Sequence, residues 1–184
     1  FWSYIKSNKT ENIGIPTLVS NSGEVCNSDK AKASALNCQF QSVFTKENVS
    51  SIPNKGPSNY SSAPVLTVHS EGIYKLLVGL DCSKATGPDE IPARVLHDYA
   101  RPLSKILSFL FQQSYDTGTI PQDWRDANIC AIYKKGPKSQ PVNYRPVSLT
   151  CISCKLMEHI ILSHLSTHLV DNGILVKNQH GFRQ

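Results

Sequence analysis

Ala31, Ala35, Leu36, Phe40, Val43 and Phe44 recur at helical spacing behind Ser28 and Asp29, and predict a helix over about 29–45 with Ser28 as its N-cap. A second apolar series, Ile73, Leu76, Leu77 and Leu80, predicts a helix from near Ser70. The stretch "KATGPDEIP" ends it in a turn, where Gly87 can take a positive φ and Pro88 fits the second turn position. Pro92 opens the next helix, with Val95, Leu96 and Tyr99 apolar. Leu103, Ile106, Leu107, Leu110 and Phe111 give another from about Pro102, stopped by "DTGTIPQDW".

The period then changes from helical to alternating. In "DANICAIYKK" (126–135), Ile129, Ala131 and Tyr133 alternate with Cys130, Ile132 and Lys134, which predicts a strand buried on much of both faces. "VNYRPVSL" reads as the returning strand. Pro146 holds Arg145 extended and, lacking an N–H, assigns the strand to an edge. A last helix is predicted over about 151–171, with Ile152, Leu156, Met157, Ile160, Ile161, Leu165 and Leu169 on its apolar face and Gly173 at its end. "SNSGEV" marks a turn or hairpin tip near the start, and 48–64 reads as a linker or flexible loop. Helices followed by a hairpin and a helix indicate α+β, a mainly helical chain with one antiparallel hairpin.

Charge adds a localised feature. The 184 residues carry a net charge of +5. All of that net charge lies between Trp124 and Lys155, where Arg125, Lys134, Lys135, Lys138, Arg145 and Lys155 face Asp126 alone. Such a field attracts phosphate, whether on a nucleotide or a nucleic-acid backbone; a solvated basic face is the plainer reading. Six scattered cysteines without a framework point to reduced thiols. No run approaches the roughly 18 apolar residues of a membrane span, and no secretory signal opens the chain, so an intracellular protein, nuclear or cytoplasmic, is expected. Its first residues, Phe1 and Trp2, suggest a piece of something longer.

The stretch "YKKGPKSQPVNYRPVSL" (133–149) concentrates the candidate chemistry. Paired strands can bring Lys135 and Arg145 to one side of the loop, a point charge and a planar fork matched to phosphate oxygens. The glycine pattern of a phosphate-cradling Walker loop is missing around Lys138. Cys151, Cys154, His164 and His168 have end spacings like those of a zinc finger, but "KLMEHIILS" continues one helix between them, so packing is the expected role. Asp89, Asp123, Asp126 and Asp171 form no pair placed to hold two metal ions. The residues alone show binding chemistry and no reaction chemistry.

"KATGPDEIPARVL", "GTIPQDWRDANICAIYKKG", "NYRPVSLTCISCKLMEHII" and "NQHGFRQ", in this order, resemble the N-terminal part of the reverse transcriptase domain of non-LTR retrotransposons. The nearest group is the jockey/CR1-like LINE elements, and "FWSYIKS" and "SDKAKASALNCQFQSVFT" resemble the segment they carry before the polymerase. The resemblance implies residues 1–65 as a linker region and 66–184 as the fingers portion of a right-hand polymerase, truncated before the catalytic palm. By it, Lys134 or Lys135 and Arg145 grip the triphosphate of an incoming deoxynucleotide. Asp89, Lys138, Gln179, Gly181, Phe182 and Arg183 are implied near template and nucleotide. RNA template, DNA primer and deoxynucleoside triphosphate are the implied partners, with no membrane, and Mg2+ is the metal of the full-length enzyme. The palm's catalytic aspartates have no counterpart in these 184 residues, so the chain is expected to be inactive alone and to self-associate through uncovered apolar surface. A retained nucleic-acid-binding or protein-interaction module and a non-functional relic are the alternatives.

Overall fold

The computed structural model describes residues 14–52, 54 and 56–175. The chain forms two compact units. One comprises the chain up to Ser51 with Ile129–Val147, the other Ile52–Asn128 with the chain from Ser148.

The first unit is small. Strands β1 (Leu18–Val19) and β2 (Val25–Cys26) pair antiparallel, Leu18 opposite Cys26, around the expected "SNSGEV" turn. This second hairpin adds to the single one that the pattern predicted. Helix α1 (Asp29–Ser42) starts as expected, with the Ser28 hydroxyl accepting from the Ala31 amide. It ends at Ser42, so Val43 and Phe44 fall beyond its last turn and are exposed instead of lying on its buried face. Strands β3 (Asn128–Tyr133) and β4 (Tyr144–Leu149) form the predicted basic hairpin. Leu18, Cys26, Leu36 and Tyr144 make the core of this unit, with Ala31, Ala35, Phe40 and Ala131 against it.

β3 was expected to be buried on both faces. Instead Ile129, Cys130 and Ile132 are exposed, and only Ala131 is partly covered. A two-stranded sheet has one face to pack here, the one carrying Ala131 and Tyr144; Ile129 is exposed at the far end of that face, and Cys130 and Ile132 lie on the other. No described element covers that other face.

The second unit is helical: α2 (Ser70–Val78), α3 (Ala93–Asp98), α4 (Ala100–Thr117) and α5 (Ile152–Asp171). Its core is built from residues four apart, Ile73 with Leu77, Leu96 with Ala100, Leu107 with Phe111, and Ile152 with Leu156. Rows of this spacing interdigitate when helices pack. The buried stripe is narrower than the periodicity suggested, leaving Val95, Tyr99, Ile106, Leu110 and Leu165 exposed. Trp124 meets Phe111 edge to face at 5.5 Å, tying the turn after α4 to this core. Within the stretch 48–64 read as a loop, Val49–Ser51 form one short 3-10 turn, and residues 56–69 have no helix or strand. Gln112 fixes their end, its side chain accepting from the Val68 amide at 2.8 Å and donating to the Leu66 carbonyl at 3.2 Å.

The Gly87 turn departs from expectation in one respect. Pro88 does take the second position, with the Glu90 amide donating to the Gly87 carbonyl at 3.1 Å. The positive φ belongs to Glu90 (54°), not to Gly87. Gly87 is required for a steric reason: a Cβ there would stand 2.4–2.6 Å from backbone atoms of Thr150 and Cys151, at the start of α5. α5 ends with Asn172 as cap, and Gly173, at φ 62°, lies one residue beyond it.

Candidate functional site

The basic hairpin rests on two tyrosines. Tyr144 is buried in the core of its unit and meets Tyr133 edge to face, ring centroids 5.8 Å apart. The Lys134 amide donates to the Asn143 carbonyl at 2.8 Å. Together these contacts set Lys134 opposite Asn143 and Tyr133 opposite Tyr144. Alternation along the strands then turns Lys134 and Arg145 to one face, shared with Ile132, while both tyrosines occupy the other.

The loop between the strands is braced from within. Gly136 sits at φ 89° and has no room for a Cβ, which would come within 2.7 Å of the Asn143 side chain. Asn143 Nδ2 donates to the Pro137 carbonyl at 2.8 Å, Tyr133 Oη to the Gly136 carbonyl, and Tyr144 Oη to the Lys138 carbonyl at 2.7 Å. The Val19 amide donates to the Ser139 carbonyl at 2.7 Å, joining the loop to the β1–β2 hairpin. Burial, and then Tyr133 beside it, push the Tyr144 phenol above its ordinary value, which keeps it a neutral donor.

Lys134, Lys135, Lys138 and Arg145 are all exposed, and none makes an ion pair among the described residues. Lys138 Nζ lies over the Tyr133 ring, 5.4 Å from its centroid. Asp89 belongs to the other unit, where its carboxylate accepts from the Ile91 amide at 3.3 Å and lies beside the Cys151 thiol. Gln179, Gly181, Phe182 and Arg183 lie outside the described residues. Reading the sequence did not single out Tyr133, Asn143 and Tyr144 as the frame of the hairpin; the signal present was an aromatic at each end of the loop.

The Cys–His set of α5 is occupied with packing. Cys151 caps the helix, and its Sγ contacts the Asp123 carbonyl at 3.2 Å; Cys154 Sγ lies 3.8 Å from the Trp124 carbonyl. His164 Nε2 bonds the Pro64 carbonyl at 2.7 Å, and His168 Nδ1 faces Asn172 Nδ2 at 3.1 Å. Burial raises both thiols, Cys154 to about 11 with help from the Glu158 carboxylate. Among the described residues no three His, Cys, Asp or Glu side chains converge on a metal site.

Over 123 residues, 66% of the chain and 13% of the relative, it is 32% identical to the RNA-directed DNA polymerase from mobile element jockey of Drosophila melanogaster. It is 28% identical over 148 residues, 79% of the chain and 16% of the relative, to the probable RNA-directed DNA polymerase from transposon BS of the same organism. The chain is a relative of the RNA-directed DNA polymerases of non-LTR retrotransposons. A third such protein, from transposon X-element of Drosophila melanogaster, is 23% identical over 174 residues, 90% of the chain and 19% of that polymerase. The chain thus spans less than a fifth of the polymerases it matches. No protein-family model matches it. No helix among the described residues is long and apolar enough to cross a membrane.

Proposed function

We propose that the chain is the fingers portion of a non-LTR retrotransposon reverse transcriptase, and that its basic hairpin grips the triphosphate of the incoming deoxynucleotide. The observation that carries this reading is the placement of Lys134 and Arg145 on one exposed face, free of carboxylate partners, over a tyrosine frame that holds the loop. An ammonium and a guanidinium so placed can neutralise adjacent phosphates, and phosphoryl-transfer sites depend on such cations for positioning. Lys135 stands just past the strand end and contributes to the same field. Lys138, Asp89, Gln179, Gly181, Phe182 and Arg183 are assigned to contacts with template and primer. The 184 residues alone do not polymerise DNA, because the palm's aspartates that complete the reaction have no counterpart in them.

Two assays test this reading. Titration of the chain with dTTP and with thymidine should show binding that depends on the triphosphate and weakens about tenfold in Arg145→Ala. Primer extension on an RNA template with magnesium should yield no product; synthesis by the purified chain would contradict the inactivity. The alternative of a nucleic-acid-binding module draws on the same exposed cations. It is favoured if RNA binding falls steeply with salt, and the slope flattens when Lys134, Lys135 and Arg145 are replaced, while dTTP does not bind.

A further inference from the structure

Four of the chain's six histidines, His69, His159, His164 and His168, line one cavity of about 590 Å3 in the helical unit. It opens between the stretch at 61–69, the first turns of α2 and the C-terminal half of α5. Its size lies in the range of small-molecule sites.

Hydrogen bonds fix two of the imidazoles. His164 Nε2 faces the Pro64 carbonyl at 2.7 Å, an acceptor, so Nε2 carries the proton and Nδ1 is left as an acceptor. His168 Nδ1 receives the Asn172 amide at 3.1 Å, so its proton sits on Nε2 as a donor. The same amide donates to the His168 carbonyl, and Ser61 donates to Asn172 Oδ1, which orients Asn172 unambiguously. His164 and His168, one turn apart on α5 and both lining the cavity, therefore keep a free hydrogen-bond acceptor and a free hydrogen-bond donor. The imidazoles of His69 and His159 make no hydrogen bond among the described residues and can take either role.

The remainder of the lining narrows the ligand. Val68, Leu76 and Ile160, each partly exposed, supply apolar surface for a flat ring, and imidazoles stack on bases. The Ser163 hydroxyl, unbonded among the described residues, and the Asp171 carboxylate suit the hydroxyls of a sugar. No lysine or arginine lines the cavity, and Asp171 opposes a phosphate. We infer that this cavity binds an unphosphorylated nucleoside, its base edge read by His164 and His168 and its sugar by Ser163 and Asp171. The inference stands apart from the basic hairpin, which requires phosphate.

Calorimetric titration of the whole chain at pH 7.5 tests it, with adenosine, AMP and a short RNA oligonucleotide as probes. Adenosine should saturate at one per chain. His168→Leu, which removes the donor, and Ser163→Trp, which fills an exposed part of the cavity, should each weaken it about fivefold or more, with the melting temperature monitored alongside. In a Lys134→Ala/Arg145→Ala background AMP should bind more weakly than adenosine, and Asp171→Asn should narrow that gap. Absence of saturable adenosine binding, or adenosine binding unchanged in both cavity variants, would overturn the inference. AMP or the oligonucleotide binding more tightly than adenosine in that background would also overturn it.

Discussion

Tyr144 meets Tyr133 edge to face across the base of the basic hairpin, with ring centroids 5.8 Å apart and planes at 67°. The Tyr144 ring is buried in the core of its unit, so the next residue along β4, Arg145, is turned outward.

Replacing Tyr144 should therefore act on stability and on the hairpin together. Tyr144→Ala is expected to cost about 3–5 kcal/mol, the usual range for truncating a buried aromatic, and to expose the amides of α1 and β3 to hydrogen exchange. Tyr144→Phe keeps the ring and loses only the bond to the Lys138 carbonyl, about 1 kcal/mol. Denaturant titration with exchange read by mass spectrometry separates the two.

Gly87→Ala brings a Cβ into the backbone at Thr150 and Cys151, which cannot yield as a flexible side chain would. A loss of at least about 1–3 kcal/mol is expected, measured as a fall in denaturant midpoint. Glu90→Gly should stabilise the fold by up to about 1 kcal/mol and so raise the midpoint, since it relieves a non-glycine residue at positive φ.

The six thiols should divide by exposure. Cys38, Cys82 and Cys130 are exposed and should react rapidly with a disulfide reagent at pH 8, whereas Cys26, Cys151 and Cys154 are buried and should lag. The Cys154 thiol titrates near 11 in the fold against an ordinary value of 9. Its raised value favours the protonated thiol, so this contribution to stability is complete below pH 9 and is lost as pH rises through 11. The midpoint of denaturation should fall across that window in the parent chain, and less in Cys154→Ala measured against its own neutral-pH value.

Gln112 holds the stretch before α2 by two backbone bonds, to Val68 and Leu66. Gln112→Leu leaves a partly buried amide and carbonyl unpaired, at about 1–3 kcal/mol. Limited proteolysis should then cut within 56–68 faster than in the parent chain.

Helix positions were legible in the sequence because caps and breakers are local: Ser28 caps α1, and Gly118 and Gly173 stand where α4 and α5 stop. Which apolar residues become buried was less legible. Ile106 and Leu107 carry the same hydrophobic signal, and only packing against a partner helix decides between them. The same holds for β3, whose alternating apolar residues do not announce that one face lacks a cover. Lys134 and Lys135 could not be told apart from spacing, since a shift of one residue exchanges their faces. The Lys134–Asn143 bond and the tyrosine pair supply that register. Gly87 shows the opposite limit: its turn was visible, but the close approach of α5 is a tertiary fact.

In the proposed role, Lys134 and Arg145 act on one triphosphate from one face of the hairpin. A double-mutant cycle on dTTP affinity tests it most directly, combining Arg145→Ala in turn with Lys134→Ala and Lys135→Ala. Lys134 and Arg145 should couple by at least about 0.5 kcal/mol, while Lys135 and Arg145 should be nearly additive. Stronger coupling to Lys135, or dTTP affinity unchanged in all the variants, would contradict it.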